Sequence, residues 1–379
     1  MNILIAPNAF KNSLDAQGVA EAIAQGLQQS DLNCTCRLFP VGDGGDGTGG
    51  LIIKHLDGQI ITAPAHDALG REITATFGLV DNGRTAIIEM ADASGMRLLK
   101  PDELNPMLAN TAGTGELIKQ ALDKGVNKII IGMGGSATVD GGAGILSALG
   151  MLFYDKDGSE LSPVPAQLVD VAMVDVGPLD KRVFACDITI LCDVDNALLG
   201  ADGAAAVFGP QKGATTADVV KLDTMLKNIA AIAFEQTGVD ATNIKHSGTA
   251  GGAAAGLYTF LNAKLVSGAT RFLELTSFEA ALQNADIVIT GEGSIDEQTL
   301  QGKAPAAVAA MARERGLKVI GLAGKVPTVH SEALSQHFHI LRSINITPTD
   351  LATALKSTRN NLVRTACEIG NLLVLSQLQ

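Results

Sequence analysis

Along this 379-residue chain, short apolar runs stop abruptly in loops of glycine, carboxylate and hydroxyl residues, and a helical period follows most of them. Such an alternation predicts a largely parallel sheet with helices packed on it, because parallel strands need long crossover connections. The first apolar run covers 2–6 and stops at Pro7. Ala16, Val19, Ala20, Ile23 and Leu27 then recur on one helical face, and 35–41 reads as the next strand. The pattern returns near the other end, with strands predicted at 287–290, 319–322 and 339–341. Helices are predicted at 304–315 and 331–336, with a long one from about 348.

The middle follows a different period. Segments 59–65, 73–79 and 85–90 alternate apolar and polar residues, and Asp81-Asn82-Gly83 is a hairpin signal between the last two. Further apolar strands are predicted at 128–131 and 188–192, and a hairpin at 151–162 around Lys156-Asp157-Gly158. The expected fold class is therefore α/β with two domains. One is Rossmann-like, with a mostly parallel sheet built from both chain ends, 1–58 plus 280–379, and 112–140 is a candidate addition to it. The other is a mixed α/β domain inserted over 59–279.

Hydrophobic residues make up 46% of the chain, enough for a large core and against disorder. Aromatics are only 3% while glycine reaches 42 residues, which suits close helix-on-sheet packing. Acidic residues outnumber basic ones by 40 to 28, a net charge of −12 that repels phosphodiester backbones and argues against nucleic-acid binding. The five cysteines are odd in number and contain no CxxC pair, so they read as core residues rather than as disulfides or zinc ligands. No apolar run nears the roughly 18 residues needed to span a bilayer, and residues 1–11 lack a basic leader. The expected location is the cytoplasm, with no membrane partner.

Five loops, at 10–13, 42–48, 134–144, 291–303 and 324–325, combine glycine with Asp or Glu, Ser or Thr, and often Lys. Each lies at or near the carboxyl end of a predicted strand, the edge where open α/β sheets bind ligands. Glycine lets backbone N–H groups approach phosphate, carboxylates can hold Mg²⁺, and lysine supplies point charge. Interleaved at one edge, they suit phosphoryl transfer. None is a Walker A loop, and Gly132-Met133-Gly134-Gly135-Ser136-Ala137 lacks the third glycine of a dinucleotide fingerprint. The six histidines form no triad with a Ser or Cys.

Among the loop residues, Asp43 and Asp46 read either as metal or substrate contacts or as caps of a helix near Thr48. Asp193 follows an apolar strand, where a general base is rigidly presented. Glu292 and Asp296 share a loop, and Lys11, Lys212 and Lys303 each lie next to a turn or helix start.

At these same loops the sequence resembles the type-1 glycerate kinase family. The segment Ile5-Ala6-Pro7-Asn8-Ala9-Phe10-Lys11-Asn12-Ser13-Leu14 is similar to that family's A-P-D-S-F-K-x-S-L. Pro40-Val41-Gly42-Asp43-Gly44-Gly45-Asp46-Gly47-Thr48 is similar to P-x-x-D-G-G-[DE]-G-T, and 131–142 to its G-G-[ST]-A-x-x-D-G-G element. Phe208-Gly209-Pro210-Gln211-Lys212-Gly213 and Gly291-Glu292-Gly293-Ser294-Ile295-Asp296-Glu297-Gln298-Thr299 complete the set, with Gly302-Lys303-Ala304-Pro305 after them. The family's usual Asp-Ser is Asn8-Ala9 here, so no carboxylate role carries over to those two positions.

The resemblance implies ATP-dependent phosphorylation of D-glycerate to phosphoglycerate, with Mg²⁺, in a cleft between domains of a monomer or homodimer. On that basis Asp193, Lys11 and Lys303 are expected to be catalytic. Gly134, Gly135, Ser136, Gly291, Glu292, Gly293 and Gly324 are expected around ATP, Ser13 and Lys212 around the substrate, and Asp43, Asp46 and Asp296 around the metal. Two rival readings are a nicotinamide-dependent oxidoreductase of a small hydroxy acid and a non-catalytic small-anion binding protein.

Overall fold

Asn2–Ile5 forms a strand whose Ile3, Leu4 and Ile5 are all buried, the pattern of a parallel strand with helices on both faces. In the computed structural model, which describes residues 1–376, the strands in chain order begin with β1 (Asn2–Ile5), β2 (Thr35–Leu38) and β3 (Gln59–His66). They continue with β4 (Glu72–Val80), β5 (Thr85–Glu89), β6 (Lys128–Gly132), β7 (Leu152–Tyr154) and β8 (Glu160–Leu161). The last six are β9 (Met173–Asp175), β10 (Asp187–Cys192), β11 (Lys264–Ser267), β12 (Ile287–Ser294), β13 (Lys318–Lys325) and β14 (Ile340–Ser343). The chain divides into a terminal unit, Met1–Asp43 with Ala269–Gln379, and an inserted unit, Gly44–Gly268.

The terminal unit holds a parallel sheet in the order β14-β13-β12-β1-β2. From β1 the chain passes to β2 on one side, and after the insertion it returns to β12 on the other. The strand order thus reverses between β1 and β12, and such a reversal opens a ligand crevice at the carboxyl ends. One face is covered by helix Ala16–Gln28, which Asp15 caps by accepting the Gly18 N–H at 2.7 Å. The C-terminal helix Leu351–Ser376 crosses it closely: a Cβ on Gly26 would lie 2.2 Å from the Val363 carbonyl.

The inserted unit holds a mixed sheet in the order β11-β10-β6-β5-β4-β3. Strands β5, β6, β10 and β11 are parallel, while β4 runs antiparallel to both β5 and β3. The expected meander is therefore not separate, since its last strand is also the first parallel one. Its turn puts Asp81, Asn82 and Gly83 at positive φ. A small antiparallel sheet, β8-β7-β9, contains the hairpin expected at 151–162.

Three points differ from expectation, the first being that the terminal unit resumes at Ala269 rather than at 280. Helix Thr48–His55 joins the inserted unit, where the Gly49 N–H donates to the Glu89 carboxylate at 2.7 Å. Strand β6 pairs between β5 and β10, so 112–140 cannot extend the terminal sheet. The physical cause is sheet pairing, which apolar periodicity does not encode.

Candidate functional site

Each unit gathers several of the expected residues at the carboxyl edge of its sheet. In the terminal unit the Asn8 N–H donates to the Gly291 carbonyl at 2.8 Å, which ties the loop after β1 to β12. The buried Asn8 side chain donates from Nδ2 to Asp43 Oδ2, also at 2.8 Å. Glu292, only 8% exposed, takes a hydrogen bond from Thr299 Oγ1 at 3.0 Å. Burial pushes the Glu292 carboxyl up to about 7, with Lys303, Thr299 and Lys11 opposing the shift and Asp43 adding to it. Lys11, Asp43, Glu292 and Lys303 thus form one electrostatic group at the β1/β12 crevice.

Gly291 has a packing reason to be glycine, since a Cβ there would meet the Leu322 carbonyl at 2.1 Å. Gly293 lies beside Gly324 on neighbouring strands, because the flanking pairs are Glu292–Ala323 and Ser294–Lys325. Ser13 turns elsewhere, donating its hydroxyl to the Leu355 carbonyl at 2.5 Å and anchoring the first loop to the C-terminal helix. Asp296 caps the turn Glu297–Leu300 by accepting the Gln298 N–H at 2.9 Å. Asp296→Ala should therefore lower stability in urea by about 0.5–2 kcal/mol, the worth of an N-cap. The cap engages only Oδ1, so a hundredfold loss of turnover in the same variant would show that Asp296 also meets the metal, and turnover within a few-fold of the parent that it does not.

In the inserted unit Gly134, Gly135, Ser136, Asp193 and Lys212 line one pocket. Register explains the placement: Glu89 of β5, Gly132 of β6 and Leu191 of β10 are level, so the next residues on each strand emerge along one edge. Gly134 must be glycine, because a Cβ there would sit 2.3 Å from the Gly45 Cα. Lys212, expected beside a turn, lies in the turn Pro210–Lys212 and is only 2% exposed. Its ammonium donates to Ser136 Oγ at 2.8 Å and to the Thr138 carbonyl at 2.7 Å. Burial pulls its pKa down to about 7, while Asp140 and Asp193 push it back up. An ammonium has three donors, and these two acceptors are neutral, so the group suits an arriving anion.

Two participants were not among the expected site residues. Asp140 is fully buried and accepts hydrogen bonds from Thr111 N and Oγ1, both at 2.8 Å, and from the Gly142 and Gly144 N–H groups. It fixes the end of the glycine-rich loop rather than facing a ligand. Glu89, at the end of β5, is pushed up to about 7 by burial, with Asp92 and Asp46 adding and the Gly49 N–H and Arg97 opposing. A carboxylate closing an apolar run, as in Ile87-Ile88-Glu89, was the available clue. Asp46 does not cap helix Thr48–His55, whose N-cap is Gly47; instead it lies 3.9 Å from Arg97. Among the described residues, no group of three or more His, Cys, Asp or Glu could hold a metal without other ligands. No described helix is long and apolar enough to cross a membrane.

Fold and loops together define an α/β protein that presents lysines, carboxylates and glycine N–H groups at the carboxyl edges of two sheets. Comparison with known proteins makes this specific. The model of the Glycerate kinase family matches residues 3–374, and the chain belongs to that family. It is 43% identical over 378 residues to a glycerate kinase of Bacillus subtilis (strain 168), covering 100% of this chain and 99% of the relative. It is 38% identical over 379 residues to the glycerate 2-kinase of Escherichia coli (strain K12), covering 99% of this chain and 98% of the relative. A crystal structure assigned as glycerate kinase 2 from Salmonella typhimurium LT2 superposes with a TM-score of 0.83 at 40% identity, over 100% of both chains.

Proposed function

We propose that this protein transfers the γ-phosphoryl group of ATP to a hydroxyl of D-glycerate, giving phosphoglycerate and ADP. The observation that carries the reading is the pocket where Lys212, Ser136 and Asp193 meet, in a chain of the glycerate kinase family. A small hydroxy acid needs one cation for its carboxylate and one base for its hydroxyl, and this pocket supplies both. Lys212, with two N–H groups already spent on neutral oxygens, offers its charge and third donor to the carboxylate. Asp193 accepts the hydroxyl proton as the new O–P bond forms. The bond from the γ-phosphorus to the β,γ-bridging oxygen breaks, and its electron pair leaves with ADP.

In the terminal unit, Lys11 and Lys303 place positive charge at the crevice, where an anionic nucleotide would otherwise meet Glu292 and Asp43. A phosphate-bound Mg²⁺ fits this donor set better than a protein cage does, because Mg²⁺ keeps several waters and takes one or two carboxylates beside substrate phosphates. Asp43, oriented by Asn8, is the residue of this unit to hold it. When bound, the ion would screen charge on the transferring group. The name of the Escherichia coli relative supports the 2-hydroxyl as acceptor here.

A coupled ADP assay with D-glycerate and ATP–Mg²⁺ tests the reading, with phosphorus NMR to identify the product. ADP should appear only when glycerate is present, matched by 2-phosphoglycerate. Glycerate binding without ADP release would mean a binding protein, and nicotinamide reduction would mean an oxidoreductase.

A further inference from the structure

The pocket of the inserted unit is small. Its volume is about 80 Å³. At roughly 10–15 Å³ per water-sized group it has room for about five to eight such groups, and glycerate has about seven non-hydrogen atoms. Its walls are of two kinds. Ser136, Asp193, Gln211 and Lys212 make the polar side, while Met96, Met133, Val194, Phe208 and Ala250 make the apolar side. Met133 and Ala250 belong to the main core of the unit, and the Val194 carbonyl is engaged by His246 Nδ1 at 2.7 Å. Met96, Val194 and Phe208 are the half-buried apolar residues here that lie outside that core, and Met96 and Phe208 carry the larger side chains.

Backbone bonds hold these two in fixed relation to the polar groups. The Met96 N–H donates to the Gly135 carbonyl at 2.9 Å, and Gly95 bridges to Ser136. Phe208 ends helix Ala204–Phe208, and the turn that follows carries Lys212, whose N–H bonds the Gly209 carbonyl. Each apolar side chain is therefore registered against a residue that would grip the acid.

We infer that Met96 and Phe208 set the carbon-chain length of the acceptor, closing the pocket behind a three-carbon hydroxy acid and excluding its four-carbon homologue. This rests on the acceptor role proposed above for the Lys212 pocket. Neither side chain takes part in proton or phosphoryl transfer; both act by occupying the space that an added CHOH group needs. One added methylene against an apolar wall is worth roughly 10- to 200-fold in selectivity, and a CHOH group needs more room than that.

The test compares D-glycerate with D-erythronate as acceptors for the parent protein, Met96→Ala and Phe208→Ala. For each, kcat/KM and the competitive inhibition constant of erythronate are measured, and thermal unfolding monitors the fold. The parent should prefer glycerate by at least about tenfold. Each truncation should shrink that preference about tenfold or more, mainly by tightening erythronate binding. A ratio and an inhibition constant that stay within about threefold of the parent in both folded variants would overturn the inference. Absence of any turnover of glycerate by the parent protein would instead defeat the kinase reading itself. Should one variant fail to fold, the other decides.

Discussion

Asp193→Asn is expected to lower kcat for glycerate phosphorylation by about 10²–10⁴, the usual worth of a general base. Asp193 directly follows Cys192, the last residue of β10, which pairs with β6 on one side and β11 on the other. A residue at the end of a doubly paired strand has little freedom, as a proton acceptor requires. Asparagine keeps the size and loses the basicity, so the loss should fall on kcat. A second effect accompanies it: Asp193 is one of two carboxylates that help keep Lys212 protonated. The variant should therefore also show a raised KM for glycerate, more at pH 8 than at pH 6.5. Steady-state kinetics at both pH values check this, and turnover within about tenfold of the parent would move the base role away from Asp193.

Lys212→Met should raise KM for glycerate roughly 10- to 150-fold, which corresponds to about 1.5–3 kcal/mol for a charge-assisted hydrogen bond. KM for ATP should change much less. In the parent protein the ammonium loses its proton as pH rises through about 7. A neutral amine gives a carboxylate no charge, so KM for glycerate should climb above that pH, and the climb should vanish in Lys212→Met. Stability moves with the opposite sign. In the unfolded chain lysine keeps its proton to about pH 10.4, so between about 7 and 10 the unfolded state binds more protons and this residue's contribution rises with pH. Glu89 and Glu292, raised to about 7, act the other way. Between about 4.3 and 7 the folded state holds more protons, so their contributions fall as pH rises through that window. Urea unfolding of the parent and Lys212→Met across pH 5–10 separates these terms.

The strands and the loops that end them were legible because their signals are local. An apolar run such as Ile287-Val288-Ile289, or the positive-φ turn at Asp81-Asn82-Gly83, is written in adjacent residues. Lys11, Asp43, Glu292 and Lys303 were legible as loop residues, and β1 beside β12 accounts for their meeting. Ser13 and Asp296 carried the same composition but spend their side chains on Leu355 and Gln298. A hydroxyl or carboxylate that anchors backbone looks identical, in sequence, to one that meets a ligand. Glu89, and the structural role of Asp140 within its glycine-rich loop, were not legible because both depend on desolvation, which is set by what packs over them.

By itself, then, the sequence determined the α/β class, where the apolar strands end in glycine-rich loops, and the family the chain belongs to. These depend on hydrogen-bonding period, turn chemistry and motif order, all properties of neighbouring residues. Only the tertiary structure decided which strand continues which sheet and which lysine is buried. It also decided that Met96 and Phe208, more than a hundred residues apart in the sequence, wall the pocket of Lys212 and Asp193. Those outcomes follow from long-range packing and the loss of water around charge, and neither has a local signature.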